Sequence, residues 1–141
     1  MKAVLAIALL VASPVFGWTE PARGSVDRGA MMDALRPHIE WQLGGPVEFV
    51  IQDLRVDGRV GFAAVMPQRP GGGTIDIEDT PMAVREPEML EFLDGLHIEA
   101  LYEKSGDTWV VVQWVMGATD VWYVADELCA AYHLVIGDMC P

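Results

Sequence analysis

The chain has 141 residues, 52% of them hydrophobic, and carries 21 Asp+Glu against 9 Lys+Arg, a net charge of −12. That length suits one domain, large enough to bury a core that needs no metal to fold. The acid excess, with no basic cluster to offset it, repels nucleic-acid phosphates and anionic lipid head groups, which argues against both as partners.

The first 17 residues follow the three-part order of a secretory leader. Lys2 is its lone charge, residues 3–12 form an uncharged apolar run, and Pro14 breaks that run. The run is too short for a transmembrane helix, which needs about 20 apolar residues. Val15 and Gly17 put small or modest side chains where a signal peptidase reads, so cleavage is expected after Gly17. An uncleaved anchor is the rival reading. A lipid anchor is excluded, because no cysteine lies near the cut. Cleavage leaves 124 residues beginning at Trp18, a charge of −13 and no membrane anchor. The expected organisation is therefore a signal peptide over 1–17, a lead-in over 18–25 and a single α+β domain over 26–141.

Ser25 can cap a helix, and Asp27 suits the positive end of its dipole. Met31, Leu35, Ile39 and Leu43 then recur every four residues, an apolar stripe of helical period. Pro37 should kink or split that helix. Gly44, Gly45 and Pro46 end it. Residues 47–56 read as a strand, with Val47, Phe49 and Ile51 alternating and a bulge expected near Asp53. Asp57-Gly58 signals a hairpin turn, and residues 60–66 return as the second strand.

Residues 67–73 are a glycine-rich connection. Its glycines do not precede a helix and lack the Lys-Ser/Thr of a phosphate cradle. Residues 74–77 are expected as a short edge strand, and an acidic, irregular stretch follows, with one helical turn over 88–93. Residues 98–104 and 108–116 form a second hairpin around Ser105, Gly106 and Asp107. In its last strand Trp109, Val111 and Val115 are expected on one face, with Val110, Val112, Trp114 and Met116 on the other. Apolar on both faces, that strand is expected at the centre of the sheet. Thr119 or Asp120 then caps a final helix reaching about Tyr132, with Val121, Val124, Ala125 and Leu128 on one face. Cys129 and Cys140 form an even pair that favours a disulfide in an oxidising compartment. The fold class is thus α+β: a curved antiparallel sheet of two hairpins, an N-terminal helix packed on it and a C-terminal helix. That layout is the cystatin-like or nuclear-transport-factor-like cone.

Four stretches carry a family resemblance: residues 34–37 (ALRP), 45–50 (GPVEFV), 66–73 (MPQRPGGG), and 109–111 (WVV) leading to 117–121 (GATDV). On these the chain resembles uncharacterised exported proteins of alphaproteobacteria. The segment Arg59, Val60 and Gly61 departs from that group, which has a Trp after the turn, and so does the cysteine-bearing tail. The second hairpin is similar to the closing strands of nuclear-transport-factor-like domains. The resemblance implies a compact periplasmic domain and carries no catalytic residue across.

Catalytic signatures are sparse. Ser25 and Ser105 read as a cap and a turn residue, and no Gly-x-Ser-x-Gly elbow exists. His38, His97 and His133 sit at no metal-ligand spacing, and no cofactor is implied. His97 and Glu99 share a strand face, which permits an acid–base pair, although a plain hydrogen-bonded pair accounts for the same spacing. Thr119 and Asp120 are expected to open a helix, whose backbone N–H groups there permit an anion; helix capping is the simpler role. Trp41, Trp109, Trp114 and Trp122 are candidates to line an apolar ligand pocket, and core filling explains them equally. The functional expectation is a non-catalytic periplasmic domain that binds a protein or a small apolar ligand. One alternative is an enzyme-like pocket between helix and sheet using His97, Glu99 or Asp120. The other is an inhibitor presenting the loop at residues 71–73.

Overall fold

The structure is a computed structural model that describes residues 17–141. The leader expected at residues 1–17 therefore lies, but for Gly17, outside the described residues.

Helix α1 spans Val26–Leu43, capped by Ser25, whose Oγ accepts the N–H of Arg28 at 3.3 Å. Strands β1 (Glu48–Asp57), β2 (Val60–Gln68), β3 (Ile98–Ser105) and β4 (Thr108–Met116) form one open antiparallel sheet in the order β1-β2-β3-β4. Helix α2 (Pro81–Arg85) lies in the connection between β2 and β3, and helix α3 (Asp126–Ile136) closes the chain. The α+β class with a curved, unclosed sheet is the one expected from the sequence.

The two helices cover opposite faces of the sheet. On one side Met31, Leu35, Ile39 and Leu43 of α1 pack with Ala63, Val65, Ile98, Ala100 and Tyr102. On the other, Tyr132, Val135 and Ile136 of α3 pack with Phe62 and Leu101. The pleat explains the division, because successive residues of a strand point to opposite faces. Each large aliphatic side chain so buried contributes about 1.5–3 kcal/mol to folding.

Several expectations need correction. Helix α1 runs unbroken through Pro37, because Leu35 and Ile39, on either side of it, are both fully buried against the same core. The first hairpin turn is Gly58-Arg59, one residue later than the Asp57-Gly58 signal, while the second, Gly106-Asp107, lies where it was expected; each places a positive-φ glycine first. The bulge near Asp53 is present, as a register shift between Ile51 and Asp53. Strand β4 is an edge strand, not a central one. A second register shift, between Leu101 and Tyr102, leaves Val112 without a partner in the pairing and changes the phase of β4. Trp109, Val111, Trp114 and Met116 consequently all pack towards the α1 core, while Val110 and Val112 are exposed.

The last helix begins at Asp126, not at Thr119 or Asp120. Residues 122–124 form a separate 3-10 turn. Two side chains hold that turn on the sheet: the indole N–H of Trp122 reaches Glu99 at 3.4 Å, and the Tyr123 ring lies 4.9 Å from that of Phe62. Val121 is exposed rather than part of a buried helical face. Cys129 and Cys140 are joined in a disulfide, with Cα atoms 6.0 Å apart, which fastens the tail to α3.

Candidate functional site

The connection between β2 and β3 opens the α1 core to solvent. Thr74, Ile75, Asp76, Ile77, Leu90, Leu93, Gly95 and Leu96 line a cleft of about 420 Å³. Thr74, Ile75 and Leu96 also border an adjoining space of about 290 Å³ against Met66, Pro67 and Gln68 of β2. Ile75, Ile77, Leu90, Leu93 and Leu96 are partly buried against the main core, so the cleft floor is the edge of that core.

The local sequence builds this cleft stepwise. Arg69 donates its backbone N–H to Gly73 O at 2.8 Å, and Gly72 donates to Arg69 O at 3.0 Å. That tight reversal requires positive φ at Gly71 and Gly72, which glycine adopts without a Cβ penalty. The Arg69 side chain fixes the turn to α1, donating to the carbonyls of Leu43, Gly44 and Pro46. These include carbonyls that the end of a helix leaves unpaired, and a cation suits that end of the dipole. The expected edge strand at 74–77 does not form. Thr74 and Ile75 are unpaired, and Asp76 instead caps a 3-10 turn over Ile77–Asp79, accepting from the N–H of Glu78. Thr80 then caps α2, and Pro87 opens the 3-10 turn Pro87–Phe92, close to the turn expected at 88–93.

The far wall is locked by Gly117. Asp94 donates its N–H to Gly117 O at 2.9 Å, and Gly117 donates to His97 O at 2.7 Å. A Cβ on Gly117 would lie 2.6 Å from the carbonyl oxygen of Gly95, which explains the glycine there.

The residues expected at a site are distributed differently. His97 and Glu99 do meet: Nε2 of His97 lies 3.5 Å from Glu99 Oε1 and 3.2 Å from Ala118 O. Glu99 also accepts from Trp122, so this is a satisfied polar cluster beneath the 3-10 turn at 122–124. Burial raises the Tyr123 phenol above its ordinary range, and the Glu99 carboxylate adds to the shift. Thr119 and Asp120 are exposed and cap neither the 3-10 turn nor α3.

The four tryptophans do not converge. Trp109 is buried and donates to Asp27 at 2.9 Å; that bond and the Lys104 ammonium 3.0 Å away hold the Asp27 carboxyl below its usual range. Trp114 is half-buried beside His38, with ring centroids 6.0 Å apart. Trp41 is exposed on α1, under the Arg85 guanidinium at 4.6 Å. Trp122 packs with the α3 cluster, on the other side of the sheet from Trp109. None of the four lines the clefts described above. Core filling and surface packing account for them. Among the described residues, no group of three or more His, Cys, Asp or Glu is placed to hold a metal ion. Among them also, no helix is long and apolar enough to cross a membrane.

The chain matches no protein-family model, no curated protein and no solved structure. The case for the cleft thus rests on its own geometry. Sequence reasoning missed its aliphatic lining because it placed Ile75 and Ile77 on an edge strand and Leu90 and Leu93 in a separate helical turn, with nothing to bring them together. The usable signal was the presence of five aliphatic residues within a stretch otherwise rich in acids.

Proposed function

We propose that this chain is an exported, non-catalytic binding domain whose cleft between the β2–β3 connection and the core receives an apolar ligand. The observation that carries this reading is the cleft itself: five partly buried aliphatic side chains face an opening of about 420 Å³. Small-molecule sites are commonly concave and mostly apolar, with a few polar groups at the margin. Thr74 and Asp76 supply those groups here. Export is supported by the leader-like residues 1–17 and by the disulfide, which persists in oxidising compartments. Kinship with exported alphaproteobacterial proteins belongs to the same reading.

A neutral apolar dye such as N-phenyl-1-naphthylamine tests the cleft. Saturable fluorescence enhancement is expected with the intact protein, and its loss in Leu90→Asp, provided that variant keeps its cooperative melt. Native mass spectrometry of protein taken from periplasm tests export and occupancy together. A mass for residues 18–141 with a bound species is expected. Bare protein with no dye binding, or a full-length chain confined to the cytoplasm, overturns the proposal.

A further inference from the structure

The cleft is bordered by main chain as well as by side chains. Among the described residues, Thr74 and Ile75 make no hydrogen bond through backbone or side chain. Opposite them, β2 outruns its neighbour: its pairing with β3 stops at Val65↔Ile98, while its pairing with β1 continues to Gln68. Residues 66–68 therefore present a strand edge that β3 does not cover, and these residues line the adjoining space together with Thr74 and Ile75. The unpaired backbone of Thr74 and Ile75 and the uncovered β2 edge at residues 66–68 thus flank an apolar floor. A small hydrocarbon would use the floor alone and leave those groups to water. An extended peptide would use both, because strand addition supplies main-chain partners while alternate side chains enter pockets.

Charge selects among peptides. Residues 74–96 hold seven acids against the single base Arg85. Asp76 lines the cleft, and Glu91 and Asp94, both exposed, alternate with its lining residues. Arg85 is engaged elsewhere, donating to Trp41 O and Gln42 Oε1. Such a margin attracts cations and repels acidic chains.

Resting on the binding reading above, we propose that the cleft binds an extended peptide segment with alternating apolar side chains flanked by Lys or Arg. The segment lies along Thr74 and Ile75, pairs with their backbone, and sets its apolar side chains on Leu90, Leu93 and Leu96.

Short fluorescein-labelled peptides with a Val/Thr-alternating centre provide the test, flanked by Lys in one version and by Glu in the other. Anisotropy with the intact protein is expected to show saturable binding of the Lys version, weakened by salt, and binding at least about tenfold weaker for the Glu version. Methylating alternate amide nitrogens of the Lys peptide should abolish binding in one of the two phases, because only one set faces the protein. The Glu91→Gln, Asp94→Asn double variant touches no bonded side chain and should weaken the Lys peptide several-fold without altering the melt. Amide chemical shifts should move at residues 74–76 and 90–96. Equal binding of both peptides, indifference to amide methylation in either phase, or shifts at β4 instead of the cleft would each overturn the proposal. If the neutral dye binds saturably and no peptide does, the peptide assignment fails and the apolar site stands. If neither binds, both fail.

Discussion

The guanidinium of Arg55 and the carboxylate of Asp138 stand 2.6 Å apart although 83 residues separate them in the chain. Arg55 is almost fully buried; it also forks onto Asp53, donates to Val135 O at 3.1 Å and lies 4.4 Å over the Trp18 ring. One cation thereby ties β1, the end of α3 and the N-terminal segment together. Burial lowers its pKa, but the Asp53 and Asp138 carboxylates more than offset this.

Asp138→Ala leaves that buried charge short of a partner and should cost about 1–3 kcal/mol. Urea unfolding measures the loss. Hydrogen exchange should accelerate first at residues 135–140, whereas a uniform change across the sheet would contradict this local role.

The disulfide closes a short loop at the same end of the molecule. In the chain-entropy model a loop of about 12 residues is worth roughly 3 kcal/mol. Reduction, or the Cys129→Ala, Cys140→Ala pair, should lower the urea midpoint accordingly while leaving the far-ultraviolet circular dichroism of the sheet in place.

Gly117→Ala should be among the costlier single substitutions. The residue has φ +61°, and the new methyl would press on Gly95 O and on the Leu93 side chain. A loss of about 2 kcal/mol or more is expected, from left-handed strain plus overpacking. Because Gly95 and Leu93 line the cleft, dye or peptide affinity should fall in the same variant.

Alkaline pH should loosen the fold. Burial first, then the bond and charge of Glu103, push the Tyr132 phenol up to about 12. Burial raises Tyr102 further still. Phenols of the unfolded chain ionise near pH 10. Their contribution is therefore complete below about pH 10 and is lost as pH climbs towards the folded values. Denaturation midpoints should hold up to about pH 10 and decline between about pH 10 and 12, with phenolate absorbance rising only as the protein unfolds. Tyr102 carries a buried hydroxyl with no hydrogen-bond partner among the described residues. Tyr102→Phe should thus raise neutral-pH stability by about 1 kcal/mol and flatten the alkaline decline.

The sequence was informative wherever a local signal had no competitor. The four-residue spacing of Met31, Leu35, Ile39 and Leu43 placed α1, and the paired cysteines and the two turn signals placed the tail and both hairpins. His97 and Glu99 meet because residues two apart on a strand share a face. What misled was phase and tertiary competition. The irregularity at Val112 brings Trp114 onto the same side as Trp109, which alternation alone cannot show. Thr119 and Asp120 look like caps, yet Trp122 and Tyr123 bind the sheet and delay α3 to Asp126. The cleft was hidden for a third reason. Its lining comes from two short segments separated in the chain, brought together by the Arg69 anchor and the Gly117 contact.

Strands that neighbour each other in space also follow each other along the chain. Each hairpin can consequently zip from its own turn, and joining the two halves along β2 and β3, the non-local step, should be the slower one. That encounter must close the long excursion between Gln68 and Ile98, an entropic toll that rises only gently with length. The cleft does not exist before that seam is sewn, so whatever stiffens the excursion should speed the joining of the halves.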